Sequence, residues 1–236
     1  MQILIIDNNI MPDSWGAREL VRYARAVPGA TVRVRRAPHG DLPEDPAAFD
    51  AIVVSGSMTS ANETQPWIDE LLAFIRRAVE LDKPYLGVCY GHQMLNRALA
   101  GEQTVRKAER GEFGWAKIRL TGESPLFTGM PREFHSFASH HDEVHELAPG
   151  MRKLAESDIC PIQACQLGER PIFGVQFHPE RDADGALHWF TEQKKKNPTR
   201  PLLRPRDTTK IFDAKVGERI FANFFALAPS DPKAAE

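Results

Sequence analysis

The chain predicts an α/β fold of three layers, with a mostly parallel central sheet and helices on both faces. Three observations predict it. The runs "ILII" (3–6), "AIVVS" (51–55) and "PYLGV" (84–88) are continuously apolar, as strands buried on both faces are. Stretches with apolar residues at helical spacing separate them. Gly, Pro, Asp or Asn punctuates the junctions. Strand and helix in alternation mark a parallel sheet covered on both sides.

The elements follow in order. Asp7, Asn8 and Asn9 end the first run. Pro12 and Asp13 offer a helix start, and Ala17, Leu20, Val21 and Ala24 continue it until Pro28-Gly29. "TVRVRR" (31–36) alternates as a strand does. "AIVVS" is followed by Gly56, and Pro66 stands where a first helical turn begins. Ile68, Leu71, Leu72, Ile75 and Val79 then form one stripe. After "PYLGV", Met94, Leu95, Ala98 and Leu99 give a helix closed by Gly101.

Beyond about residue 111 the segments are short and closely spaced: "WAKIRLT" (115–121), "EFHSF" (133–137), "DEVHEL" (142–147), "MRKLAES" (151–157), "PIQACQL" (161–167) and "PIFGVQF" (171–177). They predict strands that extend or flank the first sheet. Residues 181–214, with the cationic and proline-rich "KKKNPTRPLLRPR", predict an exposed loop excursion. "VGERIFANFFAL" (216–227) resumes helical spacing with Ile220, Phe224 and Leu227. Residues 1–228 are expected to form a single domain, and 229–236 a frayed tail.

Bulk properties narrow the function classes. A net charge of -2 gives no long-range attraction to nucleic acid or an anionic membrane, so neither is expected as a partner. No apolar run reaches membrane-spanning length, and "MQILIIDNN" lacks the basic start of a signal peptide. The three cysteines, Cys89, Cys160 and Cys165, make no disulfide framework and predict a reducing, cytoplasmic setting. They also argue against a structural zinc site.

The stretch "PYLGVCYGHQML" (84–95) places Cys89 at the carboxyl end of a buried run, directly before a helix. A sharp strand-to-helix turn lifts its central side chain out of the sheet, at the edge where open α/β sheets bind ligands. Gly87 and Gly91 leave room for a tight backbone. The Gly-x-Ser-x-Gly elbow of hydrolases has the same logic, with oxygen for sulfur. The helix N-terminus favours thiolate, and the Tyr90 N–H points at a developing oxyanion. A buried packing cysteine is the competing reading; the two glycines bring the readings level.

A thiol nucleophile needs a base, and the base needs a group to orient it. Of eight histidines, His178 stands in "FGVQFHPE" (173–180), at the end of a buried run, with Pro179 stiffening the turn and Glu180 two residues on. His-Pro-Glu alone reads as a turn. Paired with the elbow, it completes a cysteine–histidine–carboxylate set of Cys89, His178 and Glu180.

At these residues the chain resembles the class I (triad) glutamine amidotransferases, with the glutaminase part of GMP synthase the nearest in character. "GVCYGHQ" resembles their nucleophile motif, "GVQFHPE" their histidine–glutamate motif, "SGSMTSANETQPWI" (55–68) their oxyanion segment and "SHHDEV" (139–144) their substrate loop. "SPLF" (124–127) and "GERIFANFF" (217–225) also fit. The resemblance implies a flavodoxin-like fold and hydrolysis of L-glutamine, or of a γ-glutamyl compound, through a cysteine thioester. It implies Cys89 as nucleophile, His178 as acid and base, Glu180 as its orienting group, and the N–H groups of Gly56 and Tyr90 as the oxyanion hole. Gln93, with backbone atoms of Ser139, His141 and Asp142, would hold the substrate ends. No cofactor is needed for that half-reaction.

The chain departs from the family pattern in places. It reads Ser55-Gly56-Ser57 where many relatives have two glycines and a proline, and His141 where many have glycine. No "SGG-x-D-S" loop and no Walker motif is present, so ammonia would pass to a separate synthetase. Two rival readings use the same residues: a γ-glutamyl peptidase acting on conjugates, and a non-catalytic binding or regulatory subunit.

Other clusters are weaker. His135, His140, His141 and His145 with Asp142 fit no standard zinc spacing, and no metal is expected. Lys194, Lys195, Lys196, Arg200, Arg204, Arg206 and Lys210, against Glu192 and Asp207, read as a solvated face or a docking arm for an acidic partner. Cys160, Cys165, Trp67 and Trp115 read as packing residues.

Overall fold

The computed structural model describes residues 1–11, 16–181, 183–199 and 215–229. Among them, nine strands form one sheet. These are β1 (Gln2–Asp7), β2 (Thr31–Arg36), β3 (Ala51–Val54), β4 (Tyr85–Val88), β5 (Val105–Leu120), β6 (Glu133–Val144), β7 (Met151–Glu156), β8 (Ala164–Leu167) and β9 (Ile172–Val175). Five helices accompany them: α1 (Arg18–Arg25), α2 (Pro66–Glu80), α3 (Tyr90–Ala100), α4 (Ala183–Lys196) and α5 (Lys215–Ala226).

The strand order is β2-β1-β3-β4-β9-β8-β7-β5-β6. The first five of these strands pair in parallel. From β9 onward the pairs are antiparallel, so the sheet is mixed, with its parallel half built from the apolar runs. Two-sided burial of that half explains those runs. Ile3, Ile5, Val53, Leu86 and Val88 pack with Leu20 and Ala24 of α1 and Ile220 and Phe224 of α5. Their neighbours Leu4, Ile6, Ile52, Val54 and Tyr85 face the other way, against Ile68, Leu71 and Ile75 of α2 and Met94 and Leu95 of α3. Each fully buried Ile or Leu contributes about 2 kcal/mol, enough for this periodicity to decide which segments become central strands.

The antiparallel half differs from the sequence expectation in two places. "EFHSF" and "DEVHEL" are not separate strands but one, β6, and β5 begins at Val105 rather than near residue 115. The charged "VRKAER" is an exposed hairpin edge whose pairing to Val144, Glu143 and Asp142 is irregular between Lys107 and Glu112. Such pairing leaves little apolar alternation to read.

The expected excursion at 181–214 is corrected over part of its length. Residues 183–196 are the helix α4. Ala186 and Phe190 are buried on an aromatic cluster of Phe113, Trp115 and Phe137, and the Phe190 ring stacks on Phe113 at 5.4 Å. Lys194, Lys195 and Lys196 fall in its last turn, where cations suit the helix dipole. The rest of the cationic stretch from Arg200, the helix start expected at Pro12-Asp13 and the tail from residue 230 lie outside the described residues.

Candidate active site

The parallel strands β1, β3, β4 and β9 end at one rim, and the predicted site residues gather there. Cys89 joins β4 to α3 directly, with φ 50° and ψ −100°. Positive φ in a residue with a Cβ is strained, typically by about 1–3 kcal/mol, and it persists only where the surroundings dictate it. They do so through the two glycines. A Cβ on Gly87 would lie 2.3 Å from the Gly91 carbonyl oxygen, and one on Gly91 2.3 Å from the carbonyl oxygen of Val54. Close packing of α3 on β3 and β4 thus forces the elbow, and the Cys89 N–H is spent on the Val175 carbonyl at 2.8 Å.

His178 is placed by β6. Its N–H donates to the Phe137 carbonyl at 2.7 Å, a single antiparallel bridge just beyond β9. The imidazole is a hydrogen-bond partner of the Cys89 side chain. On its far side, Nδ1 donates to Glu180 Oε1 at 2.7 Å. Burial by itself lowers the proton affinity of His178, but the negative charge at Glu180 and at the sulfur outweighs it and holds the imidazole above its ordinary range, near 10. Burial likewise pushes the Glu180 carboxyl up, and the His178 charge more than reverses this, leaving it below the usual carboxylate range. The three groups form a continuous sulfur–imidazole–carboxylate line with its members mutually charged.

Gly56 lies against that line. A Cβ there would sit 2.9 Å from His178 Cε1 and 3.6 Å from Cys89 Cβ. Its segment is tied from several sides. The Asn8 side-chain amide donates to the Ser55 carbonyl at 2.8 Å, and Ser57 Oγ donates to the Asn8 carbonyl at 2.7 Å. Arg97, buried on α3, donates to the carbonyls of Ala61 and Glu63, each at 2.7 Å. Asp142 Oδ2 accepts from Ser60 Oγ at 2.6 Å and from the Ala61 N–H at 2.8 Å. Tyr90 opens α3 next to the sulfur.

Of the predicted substrate residues, Ser139 turns its carbonyl toward Cys89 Sγ at 3.9 Å. His141 is exposed on β6, and the Asp142 carboxylate is occupied by the Gly56 segment. Gln93 is buried, and its Nε2 donates both to the Asp142 carbonyl and to Gln176 Oε1, which leaves its oxygen for any other role. Gln176, Glu112, His140, Asn8 and Arg97 were not singled out as site residues from the sequence. Gln176 lies inside the quoted "GVQFHPE" and Asn8 beside the first strand end, so a signal existed for those two.

Among the described residues, ligand-type atoms of Glu112, His140 and Cys160 lie within 4.8 Å of one another. Of the histidines weighed from the sequence, His140 belongs to this group. The set suits a metal poorly. Burial, then the Glu112 charge, pushes the Cys160 thiol far up, and a metal needs the thiolate. Glu112 already accepts from Ser157 and Gln163. Cys165 is also held as a thiol, its proton affinity pushed up to about 12 by burial. All three cysteines are free and buried. No described helix is long and apolar enough to cross a membrane.

A strand–elbow–helix nucleophile joined to a histidine–carboxylate pair on a curled mixed sheet defines a class of cysteine-dependent site on an α/β scaffold. The family described as glutamine amidotransferase class-I matches residues 13–188, and the chain belongs to that family. It is 46% identical over 101 residues to the glutamine-hydrolyzing subunit of GMP synthase from Archaeoglobus fulgidus, covering 43% of this chain and 54% of that protein. The corresponding protein of Methanocaldococcus jannaschii is 43% identical over 115 residues, covering 49% of this chain and 60% of that protein. The chain thus spans a little over half the length of these relatives. In fold it is similar to a glutamine amidotransferase from Methylobacillus flagellatus, with a TM-score of 0.81, 23% identity and coverage of 98% and 96% of the two chains. A glutamine amidotransferase from Thermotoga maritima gives 0.77, 20%, 97% and 98%.

Proposed function

We propose that the protein is a glutaminase that releases ammonia from the side chain of L-glutamine. The observation that carries this reading is the elbow itself: Cys89 at φ 50°, in reach of an imidazole that Glu180 holds at 2.7 Å. His178 takes the Cys89 proton, and the sulfur attacks the side-chain carbonyl carbon of glutamine. The carbonyl π electrons move to oxygen, where the N–H groups of Gly56 and Tyr90 receive the developing charge. As the tetrahedral adduct collapses, the C–N bond breaks and His178 gives its proton to the leaving nitrogen. Ammonia departs and a glutamyl thioester remains. Water, deprotonated by His178, attacks the thioester; the C–S bond breaks, and glutamate and the Cys89 thiol are regenerated. The balance is glutamine plus water to glutamate plus ammonia.

The named relatives are glutamine-hydrolyzing subunits, which supports delivery of the ammonia to a separate synthetase chain. Three unpaired, buried thiols support a reducing, cytoplasmic setting. Residues 1–228 act as one unit in this reading. Ammonia release from glutamine, measured against release of the amine from a γ-glutamyl dipeptide, tests it. Turnover of glutamine that vanishes in Cys89→Ala is expected. Preference for the dipeptide would shift the reading to a γ-glutamyl peptidase. Absence of turnover and of Cys89 labelling by a glutamine-like electrophile would leave a non-catalytic binding role.

A further inference from the structure

Cys89 Sγ receives a hydrogen bond from the side-chain amide of Gln176, at 3.5 Å. Gln176 is fully buried. The polarity of that contact is set at a distance. A main-chain carbonyl can only accept. The Asp142 carbonyl faces Gln93 Nε2 at 2.8 Å, so Gln93 must turn its NH2 group that way. The same nitrogen faces the Gln176 amide at 3.0 Å, so Gln176 must present oxygen to Gln93. Its own NH2 group is thereby aimed at the sulfur. Turning either amide over would oppose donor to donor or acceptor to acceptor inside the protein, at about 1–3 kcal/mol for each group left unmatched.

The carbonyl that sets this polarity is itself held. His140 Nδ1 meets it at 3.0 Å, and His140 Nε2 meets Glu112 Oε2 at 2.9 Å. Glu112 also accepts from Ser157 Oγ at 2.6 Å and from Gln163 Nε2. With donors on both oxygens, the carboxylate serves as an acceptor, so His140 completes both contacts as a double donor. Glu112 and His140 thus brace the Asp142 carbonyl, which orients Gln93, which orients Gln176.

We propose that Gln176 is a further catalytic residue, donating its Nε2–H to the Cys89 thiolate, and that Gln93 is the positioning residue that forces this orientation. An N–H aimed at sulfur favours the anion over the neutral thiol, because a charge-assisted hydrogen bond is the stronger one. The anion is the attacking species. Gln176 precedes His178 by two residues, so one strand end delivers both the base and this donor. The stabilisation precedes substrate binding, which separates it from the oxyanion hole. It rests on Cys89 being the nucleophile of the proposed glutaminase, yet its test needs no turnover.

The test is the pH profile of Cys89 alkylation by iodoacetamide, read on the Cys89 peptide by mass spectrometry. The variants are Gln176→Met, which is close in shape but has no N–H, and Gln176→Glu, which sets an acceptor against the sulfur. Gln176→Asn keeps the amide but withdraws it, and serves if the Met variant does not fold; circular dichroism melting reports folding. The Met and Asn variants should alkylate about ten-fold more slowly at neutral pH, with the profile displaced upward by about one unit, and the Glu variant further still. Gln93→Met, which frees Gln176 to turn over, should fall between the wild type and Gln176→Met. A folded Met or Asn variant with the wild-type profile would overturn the role of Gln176. A wild-type profile in folded Gln93→Met would overturn the positioning role. The expected displacement in a protein that releases no ammonia from glutamine would uphold this inference and defeat the glutaminase reading.

Discussion

Glu180 accepts a hydrogen bond from His178 Nδ1 at 2.7 Å, and both side chains are buried. The contact leaves Nε2 of the ring for the sulfur and stabilises the imidazolium that forms when the thiol gives up its proton. Glu180→Gln keeps the shape and removes the charge. Its glutaminase kcat should fall by about 10²-fold or more, with a smaller change in KM. Steady-state ammonia release checks this; a variant within two-fold of wild type would remove Glu180 from the mechanism.

Strain at Cys89 predicts an unusual order of stability. At φ 50° a Cβ is penalised and glycine is not. Cys89→Gly and Cys89→Ala should both lose glutaminase activity. The glycine variant should nonetheless melt higher than the alanine variant by a few degrees, corresponding to about 1 kcal/mol after the extra chain entropy of glycine is charged against it. Thermal melts of the two proteins side by side decide the matter. An alanine variant as stable as the glycine variant would mean that the elbow carries no strain.

Gly56 is a steric test of the same site. The Cβ of Gly56→Ala would press on His178 Cε1, 2.9 Å away. The imidazole must shift, so kcat should fall by about ten-fold or more while the melting temperature changes little, because a loop on the rim can give slightly. Unchanged kinetics in the alanine variant would show that the ring tolerates displacement and that its closeness to Gly56 is not what sets the rate.

Acid should destabilise the fold through His92. Burial, reinforced by the neighbouring His140 charge, lowers its proton affinity to about 3. The folded value lies below the unfolded one of about 6.5, so the unfolded chain binds a proton that the folded chain refuses. The His92 contribution is therefore complete above pH of about 6.5 and is lost as pH falls toward about 3, at up to about 1.4 kcal/mol per pH unit. His178 acts in the opposite sense: its value is raised, so its contribution is complete below about 6.5 and lost as pH rises toward about 10. Urea midpoints measured between these limits, for wild type and His92→Leu, should show a shallower acid slope in the variant. Equal slopes would assign the acid sensitivity to other groups.

Much of the frame was legible in the linear chain. The apolar runs at 3–6, 51–55 and 84–88 became β1, β3 and β4, because burial on both faces leaves a mark that nearest neighbours carry. Helix α4 was legible in principle: Ala186 and Phe190 stand at helical spacing, but the prolines and cations after them drew the reading toward a loop. The extent of β5 and β6 was not legible, since an irregular, charged hairpin edge is held by its partner strand rather than by its own periodicity.

By itself, the sequence determined the sheet-and-helix alternation, the elbow around Cys89 and the histidine–carboxylate pair at 178 and 180, all of which are patterns within a few residues of one another. The tertiary structure alone decided which groups meet the sulfur. Gln176 reaches Cys89 across 87 residues, and its orientation is dictated by a carbonyl on β6. The reason is physical: local periodicity encodes burial, whereas the direction of a buried hydrogen bond depends on acceptors and donors that the fold brings together from distant segments.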